Sequence, residues 1–252
     1  MSQAQTPPIL LVHGAWHGKW CYEKYFVEYL ADQGLDVYAI DLPYHGEKFT
    51  STRDLRWRSM THYVDAVADY AEQLDSPPIL VGHSLGGAVV QKYLEKHKAP
   101  AAILLASMPP SGVWRVTLNM LRHHPWRFLK VNLKLSLHPL VDTAKLAQQH
   151  FFSADMANSD IQSYFEQLHD ESYRAFLDML FLNLPKPKRV STPILVLGGE
   201  NDTIFSVKEV EATAKAYNTE AIIFPNMAHD MMLEKGWQGV ADKIANWVKT
   251  IS

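Results

Sequence analysis

A serine framed by glycines is the most informative chemical feature of the sequence. Residues 82–86 read Gly-His-Ser-Leu-Gly and follow the apolar run 77–81, and residues 86–97 then have the spacing of a helix. A strand, a sharp turn and a helix in this order hold a serine hydroxyl clear of its neighbours, and the helix points free N–H groups at the reacting centre. This context predicts that Ser84 is a nucleophile. The alternative is a serine in an ordinary glycine-rich turn.

A carboxylate that could support such a nucleophile follows a second apolar run. The predicted strand 193–197 leads into Gly-Gly-Glu-Asn-Asp at residues 198–202. A carboxylate is needed to hold the base imidazole in one tautomer and to stabilise its cation. We predict that Asp202 has this role and keep Glu200, two residues nearer the strand, as the competing residue. The alternative for both is a helix N-cap ahead of residues 206–217.

A histidine follows the last predicted strand. The strand 221–224 leads into a loop that contains His229, the one histidine among 12 that comes after both the final strand and the acidic segment. The chain order Ser84, Asp202, His229 is the order expected when serine, acid and base follow successive strands of an open parallel sheet. We therefore predict that His229 takes the proton of Ser84. The alternative is a histidine in a surface loop.

The loop after the first predicted strand completes a site for acyl transfer. The strand 9–12 runs into His-Gly-Ala-Trp-His-Gly at residues 13–18, and ligands of open parallel sheets lie beyond the carboxyl ends of the strands. Attack on a carbonyl places negative charge on its oxygen, and two backbone N–H groups can hold that charge. We predict that these groups come from Ala15 and Leu85. The alternative is a glycine turn with two solvated histidines.

The elements that must position these residues are strands that alternate with helices. Apolar runs joined by segments of helical spacing are typical of a parallel sheet covered on both faces. The predicted fold class is α/β, with a mostly parallel central sheet and helices on both faces. The predicted strands are 9–12, 36–40, 79–81, 101–106, 193–197 and 221–224, and the predicted helices are 20–32, 61–74, 86–97, 206–217 and 235–249.

One segment interrupts this alternation. Between two of the strands, about eighty residues show helical spacing and no strand pattern. We predict a core domain of residues 1–108 and 191–252 with an inserted helical cap of residues 109–190; the alternative is a set of ordinary crossover helices. The first half of the cap is basic, since five Arg or Lys residues precede its first acid, Asp142. Solvated helix faces are the preferred interpretation, and attraction to anionic substrates or lipid surfaces is the alternative.

The composition limits the function classes. Hydrophobic residues make up 47% of the 252 residues, which supports a sizeable buried core. The net charge of −3, without a long run of one sign, does not favour nucleic-acid binding. The single cysteine, Cys21, excludes an internal disulfide framework or a cysteine-rich metal site. The N-terminus lacks a secretory pattern and no run is long enough to span a membrane, so we expect a cytoplasmic protein.

The chain resembles the α/β-hydrolase fold family over essentially its full length. Within that family, the 13–18 loop followed by Trp20 is similar to a small esterase branch that contains plant methylesterases and hydroxynitrile lyases. The segment Asp-Leu-Pro-Tyr-His-Gly at residues 41–46 is also similar to that branch, with Tyr44 in place of a commoner glycine. The resemblance implies a mobile helical cap that shapes the pocket. It also implies the site residues of a triad, Ser84, Asp202 and His229, and of an oxyanion hole, Ala15 and Leu85.

Two positions depart from the lyases of that branch. The lyases resemble one another in having a lysine directly after the catalytic histidine, where this chain has Asp230, and a threonine where this chain has Gly14. A carboxylate at residue 230 would repel cyanide rather than stabilise it. Both departures favour ester hydrolysis.

The predicted function is cleavage of carboxylic esters of small to medium apolar substrates through an acyl-enzyme intermediate. We expect a small-molecule ester as the partner and no metal or organic cofactor, and a homodimer is kept open. Trp16, His83 and Met108 are candidate substrate-binding residues. A C–C hydrolase, a thioesterase, a perhydrolase or a hydroxynitrile lyase would use the same fold, and a small-molecule receptor that retains the triad is the alternative from another class.

Overall fold

A single sheet of six parallel strands lies at the centre of the computed structural model, which describes residues 6–251. In chain order the strands are β1 (Ile9–Val12), β2 (Val37–Ile40), β3 (Ile79–His83), β4 (Ala102–Leu105), β5 (Ile194–Gly199) and β6 (Ala221–Phe224). Across the sheet the order is β2-β1-β3-β4-β5-β6, and each neighbouring pair is parallel. The predicted α/β class is confirmed.

Both faces of the sheet are buried along its inner strands, whereas the edge strands β2 and β6 are half-buried. Ile9 and Leu11 of β1 belong to one apolar cluster, and Leu10 and Val12 belong to the other, because successive side chains of a strand point to opposite faces. All four side chains are fully buried. Burial on both faces explains why this strand reads as a continuous apolar run rather than as an alternation.

Twelve α-helices lie in the part of the chain that the structure describes. They are α1 (Trp20–Glu23), α2 (Phe26–Asp32), α3 (Thr52–Leu55), α4 (Met60–Ala71), α5 (Leu85–Tyr93), α6 (Trp114–His123), α7 (Pro125–Lys134), α8 (Ala144–Phe151), α9 (Asn158–Phe165), α10 (Tyr173–Leu177), α11 (Val207–Ala216) and α12 (Trp237–Val248). Single turns of 3-10 helix lie at Gly46–Lys48, His138–Leu140 and Pro187–Arg189, and a π-helical turn lies at Asp178–Leu182. Among residues 6–251, no helix combines the length and the apolar character needed to cross a bilayer.

Two local features differ from the sequence-based expectation. The predicted helix 20–32 is divided into α1 and α2, because Tyr25 leaves helical geometry with φ −143° and ψ −48°. The ring of Tyr25 stacks on Trp237 of α12 at 4.9 Å, a contact that local spacing does not reveal. The helix α3 is too short for a periodic pattern, and the hydroxyl of Ser51 caps it by accepting a hydrogen bond from Asp54 N–H at 3.3 Å.

Residues 109–190, here called the helical segment, contain α6 to α10 and no strand. Backbone hydrogen bonds join this segment to the loop after β6: Asp230 N–H donates to Phe151 O at 3.0 Å. Ser153 N–H also donates to Glu234 Oε1 at 2.8 Å. The division of the chain into a core domain and a cap at these bounds stays a prediction.

The register of the sheet brings the carboxyl ends of its strands together. Gly82 of β3 pairs with Val12 of β1, and His83 of β3 pairs with Leu105 of β4. Leu105 in turn pairs with Leu197 of β5. The loops that follow these strands therefore leave the same edge of the sheet. The strand order reverses between β1 and β3, which is where ligands bind in open α/β sheets.

Candidate active site

Ser84 occupies a strained turn between β3 and α5. Its backbone angles are φ 53° and ψ −117°, a conformation that costs free energy for a residue with a side chain. The carbonyl of Ser84 accepts hydrogen bonds from the N–H groups of Gly87, Ala88 and Met108 at 3.0, 3.3 and 3.1 Å, which hold the turn in place. Gly86 is required here because a Cβ at this position would overlap the backbone at the end of β1.

The loops after β5 and β6 bring Asp202 and His229 together. His229 Nδ1–H donates to Asp202 Oδ2 at 2.8 Å, since a carboxylate can only accept. The other oxygen, Oδ1, accepts from the N–H groups of Ile204 and Phe205 at 2.7 and 2.9 Å, so the carboxylate is fixed in orientation. Both Asp202 and His229 are buried. In the neutral ring, the proton on Nδ1 leaves Nε2 of His229 free to accept a proton.

Glu200 is not the partner of His229. Its side chain is exposed and accepts a hydrogen bond from Asn226 N–H at 3.1 Å. The N-cap of α11 is Ser206, which forms its capping contacts with Glu209. The geometry therefore pairs Asp202 with His229 and gives the helix cap to a different residue.

The carboxylate of Asp202 raises the pKa of His229. Burial by itself lowers this pKa, but the charge of Asp202, its hydrogen bond and the nearby charge of Asp230 together outweigh burial. The pKa of His229 therefore lies above its ordinary value of 6.5. The imidazole is a stronger base than a free histidine, and the site stabilises its protonated form.

Ala15 and Leu85 border the same cavity as Ser84. Within residues 6–251, neither backbone N–H donates a hydrogen bond to an acceptor of the protein. The N–H of Leu85 is the first of α5, where helices leave N–H groups free. Trp16, which follows Ala15, adopts a left-handed conformation with φ 66°. Two unpaired backbone donors thus border the cavity beside the serine.

The two histidines of the 13–18 loop are buried rather than solvated. His13 Nε2 accepts from Leu42 N–H at 3.0 Å, and its Nδ1–H donates to Gly14 O at 2.8 Å. One nitrogen accepts and the other donates, so the ring is neutral. Burial is the main reason why the pKa of His13 lies well below its ordinary value. The hydrogen bond from Leu42 N–H to this ring joins the 13–18 loop to the segment that follows β2.

His17 joins the 13–18 loop to the loop that carries His229. Its Nδ1 lies 2.7 Å from Ala15 O, and its Nε2 lies 2.9 Å from Asp230 Oδ2. Both oxygens only accept hydrogen bonds, so both ring nitrogens donate and the ring is an imidazolium. Burial raises the pKa of Asp230, but the charge of His17 and its hydrogen bond outweigh burial and hold that pKa below 3.8. A buried ion pair therefore fixes Ala15 relative to His229.

Of the three candidate substrate-binding residues, only Trp16 borders the cavity. His83 lies behind the turn, where its Nε2–H donates to His229 O at 3.1 Å. Burial and the charge of His229 lower the pKa of His83 to about 3. Met108 is fully buried in one of the two apolar clusters. The expectation of substrate contact is therefore not met for His83 and Met108, because both side chains are packed inside the protein.

One group of described residues has donor atoms close enough for a metal: His83, His229 and Asp230, within 4.8 Å of one another. Most of these donors already have partners. His229 Nδ1–H donates a hydrogen bond to Asp202, and His17 Nε2–H donates to one oxygen of Asp230. His83 Nε2–H donates to the carbonyl of His229. The remaining nitrogen of His83 faces Gly14, where even an added Cβ would come within 2.8 Å. These donors fit a hydrogen-bonded network better than a cation site.

Sequence reasoning missed a second histidine–carboxylate pair at the cavity, His45 with Glu171. Glu171 borders the cavity, accepts from Tyr63 OH at 2.8 Å, and lies 2.9 Å from His45 Nε2. His45 Nδ1 lies 3.0 Å from Pro43 O, so this ring also donates from both nitrogens. Burial lowers the pKa of His45, but the charge of Glu171 outweighs burial and raises it. The motif at 41–46 contains His45, whereas no sequence pattern points to Glu171.

The walls of the cavity in front of Ser84 are mostly apolar. Thr117 and Glu171 are the polar side chains that the helical segment contributes. That segment supplies most of the wall: Val113, Val116, Thr117, Met120, Phe128, Val131, Leu137, Leu140, Glu171, Phe176 and Met179.

A parallel sheet of this order, with a strained serine and a histidine–aspartate pair at its carboxyl edge, is the arrangement of the α/β hydrolases. The model of the alpha/beta hydrolase family matches residues 9–243. The chain belongs to the alpha/beta hydrolase family, as its motifs predict.

Curated relatives place the chain near plant and bacterial hydrolases. Salicylic acid-binding protein 2 of Nicotiana tabacum is 37% identical over 108 residues, which are 41% of this chain and 40% of that protein. Methylesterase 10 of Arabidopsis thaliana is 33% identical over 115 residues, 44% of this chain and 40% of that protein. These matches span less than half of either relative. Phospholipase YtpA of Bacillus subtilis (strain 168) is 26% identical over 248 residues, 94% of this chain and 88% of that protein.

A solved structure agrees with this fold over nearly the whole chain. The monoacylglycerol lipase of Paleococcus ferrophilus superposes with a TM-score of 0.71 at 23% identity, covering 97% of this chain and 94% of the lipase. At this identity the likeness concerns the fold.

Proposed function

We propose that the protein is a serine hydrolase that cleaves carboxylic esters through an acyl-enzyme intermediate. The observation that carries the proposal is the 2.8 Å hydrogen bond from His229 to Asp202, at the sheet edge where Ser84 occupies a strained turn. Ser84 is the nucleophile, His229 the general base and Asp202 the acid that orients the imidazole.

The reaction has two steps in this proposal. His229 Nε2 takes the hydroxyl proton while Ser84 Oγ attacks the ester carbonyl, and the negative oxygen accepts hydrogen bonds from the N–H groups of Ala15 and Leu85. His229 then gives the proton to the departing alcohol. Water attacks the acyl-enzyme by the same route and releases the acid, with Ser84 restored.

The substrate class follows from the cavity. The apolar walls of the cavity suit an apolar acyl or alcohol group, and the helical segment acts as the cap that selects it. The small to medium size of that group stays a prediction from the sequence. Relatives that are named as methylesterase, phospholipase and monoacylglycerol lipase support an ester as the substrate. A cytoplasmic location and a homodimer stay predictions from the sequence.

Lyase chemistry is disfavoured by the residue after the base. Asp230 is buried, its pKa is held below 3.8, and it pairs with the His17 imidazolium. A buried carboxylate beside His229 opposes the development of a cyanide anion there. We therefore expect no cyanide release from mandelonitrile.

The test compares two serine variants. The wild-type protein should hydrolyse p-nitrophenyl butyrate and react with a fluorophosphonate probe. Ser84→Ala should lose labelling and about 10⁴-fold or more in turnover, whereas Ser76→Ala, at an exposed serine, should retain both. Absence of any Ser84-dependent turnover and labelling in the wild type would sink the proposal. Ligand-induced shifts in melting temperature without turnover would then support the receptor alternative.

A further inference from the structure

Large hydrophobic side chains are exposed almost entirely in one region. Of the nine that are exposed among the described residues, eight belong to α6, α7 and the turn Asp178–Leu182; the ninth is Trp57. Trp126 and Leu133 of α7 are 77% and 76% exposed. A soluble protein scatters exposed apolar side chains, so their concentration in one place marks an interaction surface.

The outer side of α6 is apolar at helical spacing. Trp114, Leu118 and Leu121 are all exposed, and their spacing of four and three residues puts them on one side of the helix. The inner side carries Thr117 and Met120, which border the cavity. A helix that is apolar on two sides is expected to be covered on both, yet only one side of α6 is covered in the described structure.

The same division holds in α7. Trp126, Leu129 and Leu133 are exposed at spacings of three and four residues, whereas Phe128 and Val131 border the cavity. The two helices pack together, and their exposed residues form what we call the α6–α7 face. The ring of Phe181, in the adjacent turn, stacks on the ring of Trp114 at 6.4 Å and continues this face.

The charges on these helices are all positive. Residues 109–141 contain no Asp or Glu. Arg115 and Arg127 have carboxylate partners, in Glu209 and Asp142. Three further cations are exposed, and within residues 6–251 no carboxylate pairs with them: Arg122, Lys130 and Lys134. The α6–α7 face therefore consists of exposed apolar side chains with exposed, unpaired cations next to them on the same helices.

We propose that the α6–α7 face binds the surface of a membrane that contains anionic phospholipid. Tryptophan and leucine side chains enter the boundary between headgroups and acyl chains, and neighbouring lysine and arginine residues contact lipid phosphates. The occupant is a lipid surface rather than a second copy of the chain, because a symmetric interface would press this cationic face against itself with no acid to neutralise it. In this arrangement the α6–α7 face lies in the interfacial region of the membrane.

Membrane binding through the α6–α7 face would bring lipid close to the cavity. The residues that border the cavity and those of the α6–α7 face lie on opposite sides of the same two helices, so about 10 Å, the width of a helix, separates lipid from cavity. An ester dissolved in the membrane could then enter without passing through bulk water. This consequence rests on the proposed esterase function, whereas the membrane binding itself does not.

The test uses the full chain with Ser84→Ala, so that no lipid is hydrolysed. The protein is floated with vesicles of phosphatidylcholine alone and with vesicles of equal parts phosphatidylcholine and phosphatidylglycerol. We expect binding to the second kind, weakened by salt because the charges are exposed. Adding Trp126→Ser should lower the bound fraction about tenfold, while adding Trp57→Ser, at the exposed tryptophan outside the face, should leave it unchanged.

A charge variant separates the two contributions. Lys130→Gln should weaken binding to the phosphatidylglycerol vesicles about fivefold, and Lys243→Gln, at an exposed lysine of α12, should have no effect. The proposal is overturned if the protein ignores phosphatidylglycerol vesicles at low salt, or if Trp126→Ser and Trp57→Ser weaken binding equally. A dimer in sedimentation equilibrium that Trp126→Ser dissociates, without vesicle binding, would assign the face to a second copy and would also overturn the proposal.

Discussion

The carboxyl edge of the sheet and the helical segment above it contribute differently to this molecule. At the sheet edge, buried ion pairs and short hydrogen bonds fix each functional group: His229 with Asp202, and His17 with Asp230. The helical segment contributes mostly apolar walls and an apolar exterior. If the proposed function holds, the reaction type depends on directional contacts at the edge, whereas substrate choice depends on the shape and surface of the helical segment.

The largest effect is expected where the edge orients the base. Asp202→Asn should lower kcat/KM for p-nitrophenyl butyrate about 10⁴-fold, because the amide no longer selects the tautomer with the proton on Nδ1 or stabilises the imidazolium. Glu200→Gln should change kcat/KM little, since that side chain is exposed and accepts its hydrogen bond from Asn226 N–H. Equal losses, or a larger loss at residue 200, would move the acid away from Asp202.

The next effect concerns the oxyanion donors. In Gly14→Ala the added Cβ would meet His83 Nδ1 at 2.8 Å and the Cβ of Ser84 at 3.0 Å, so the 13–18 loop must shift. Displacing a backbone donor should lower kcat by about 10²-fold. The matched control is Gly239→Ala, because a Cβ there meets only Phe224, at 3.9 Å. A fully active Gly14→Ala variant would argue against an oxyanion role for this loop.

A smaller loss is expected from the ion pair between the two loops. Asp230→Asn leaves the His17 imidazolium without its counter-charge, which should cost about 3 kcal/mol in the free energy of unfolding and about tenfold in kcat/KM through displacement of Ala15. Asp155→Asn removes an exposed pair with Lys235 and should change neither quantity measurably. Urea unfolding and kinetics check both values. Equal stability of the two variants would contradict the pairing.

A substitution in the cavity wall of the helical segment should change the selectivity for acyl chain length and leave the rate on short esters almost unchanged. Val116→Phe narrows the cavity from α6, so kcat/KM for a long-chain p-nitrophenyl ester should fall about tenfold while the acetate is hardly affected. Leu118→Phe, on the exposed side of the same helix, should leave the chain-length profile unchanged. An ester panel varied in acyl length tests this, and a parallel loss on acetate would place Val116 in the chemistry rather than in the walls.

The smallest expected effect is a shift of the pH profile. Only neutral His229 can take a proton from Ser84, and the pKa of His229 lies above 6.5. Activity should therefore fall as the pH decreases through a value above 6.5, with a slope of one proton. In Asp202→Asn the raising influence is removed, so the acidic limb of the residual activity should move to lower pH. If the acidic limb of the pH profile does not move in Asp202→Asn, the limb reports the titration of a group other than His229.

Much of the fold and site follows from local sequence. Strands buried on both faces read as apolar runs, and residues just after them must meet at one edge when the strands are parallel. This reasoning placed Ser84, Asp202 and His229 in their loops. It favoured Asp202 without excluding Glu200, because a separation of two residues lies below the accuracy of predicted strand ends. The choice depends on which carboxylate faces the imidazole.

Other features depend on contacts between distant parts of the chain. His45 and Glu171 are 126 positions apart, and His17 and Asp230 are 213 apart. No local pattern encodes such pairs. For the same reason, only the structure shows that the two histidines of the 13–18 loop are buried, contrary to the alternative of solvated rings. The substrate-contact role expected for His83 is likewise replaced by a buried hydrogen bond to the loop of His229.

The sequence by itself therefore determined the α/β architecture and the strained turn at Ser84, because strand periodicity and glycine-flanked turns are set by near neighbours in the chain. The tertiary structure alone decided that Asp230 meets His17 and Glu171 meets His45, and which side of α6 and α7 faces the cavity. Both helices are apolar on two sides, so only packing against the rest of the molecule shows which side is left for a partner.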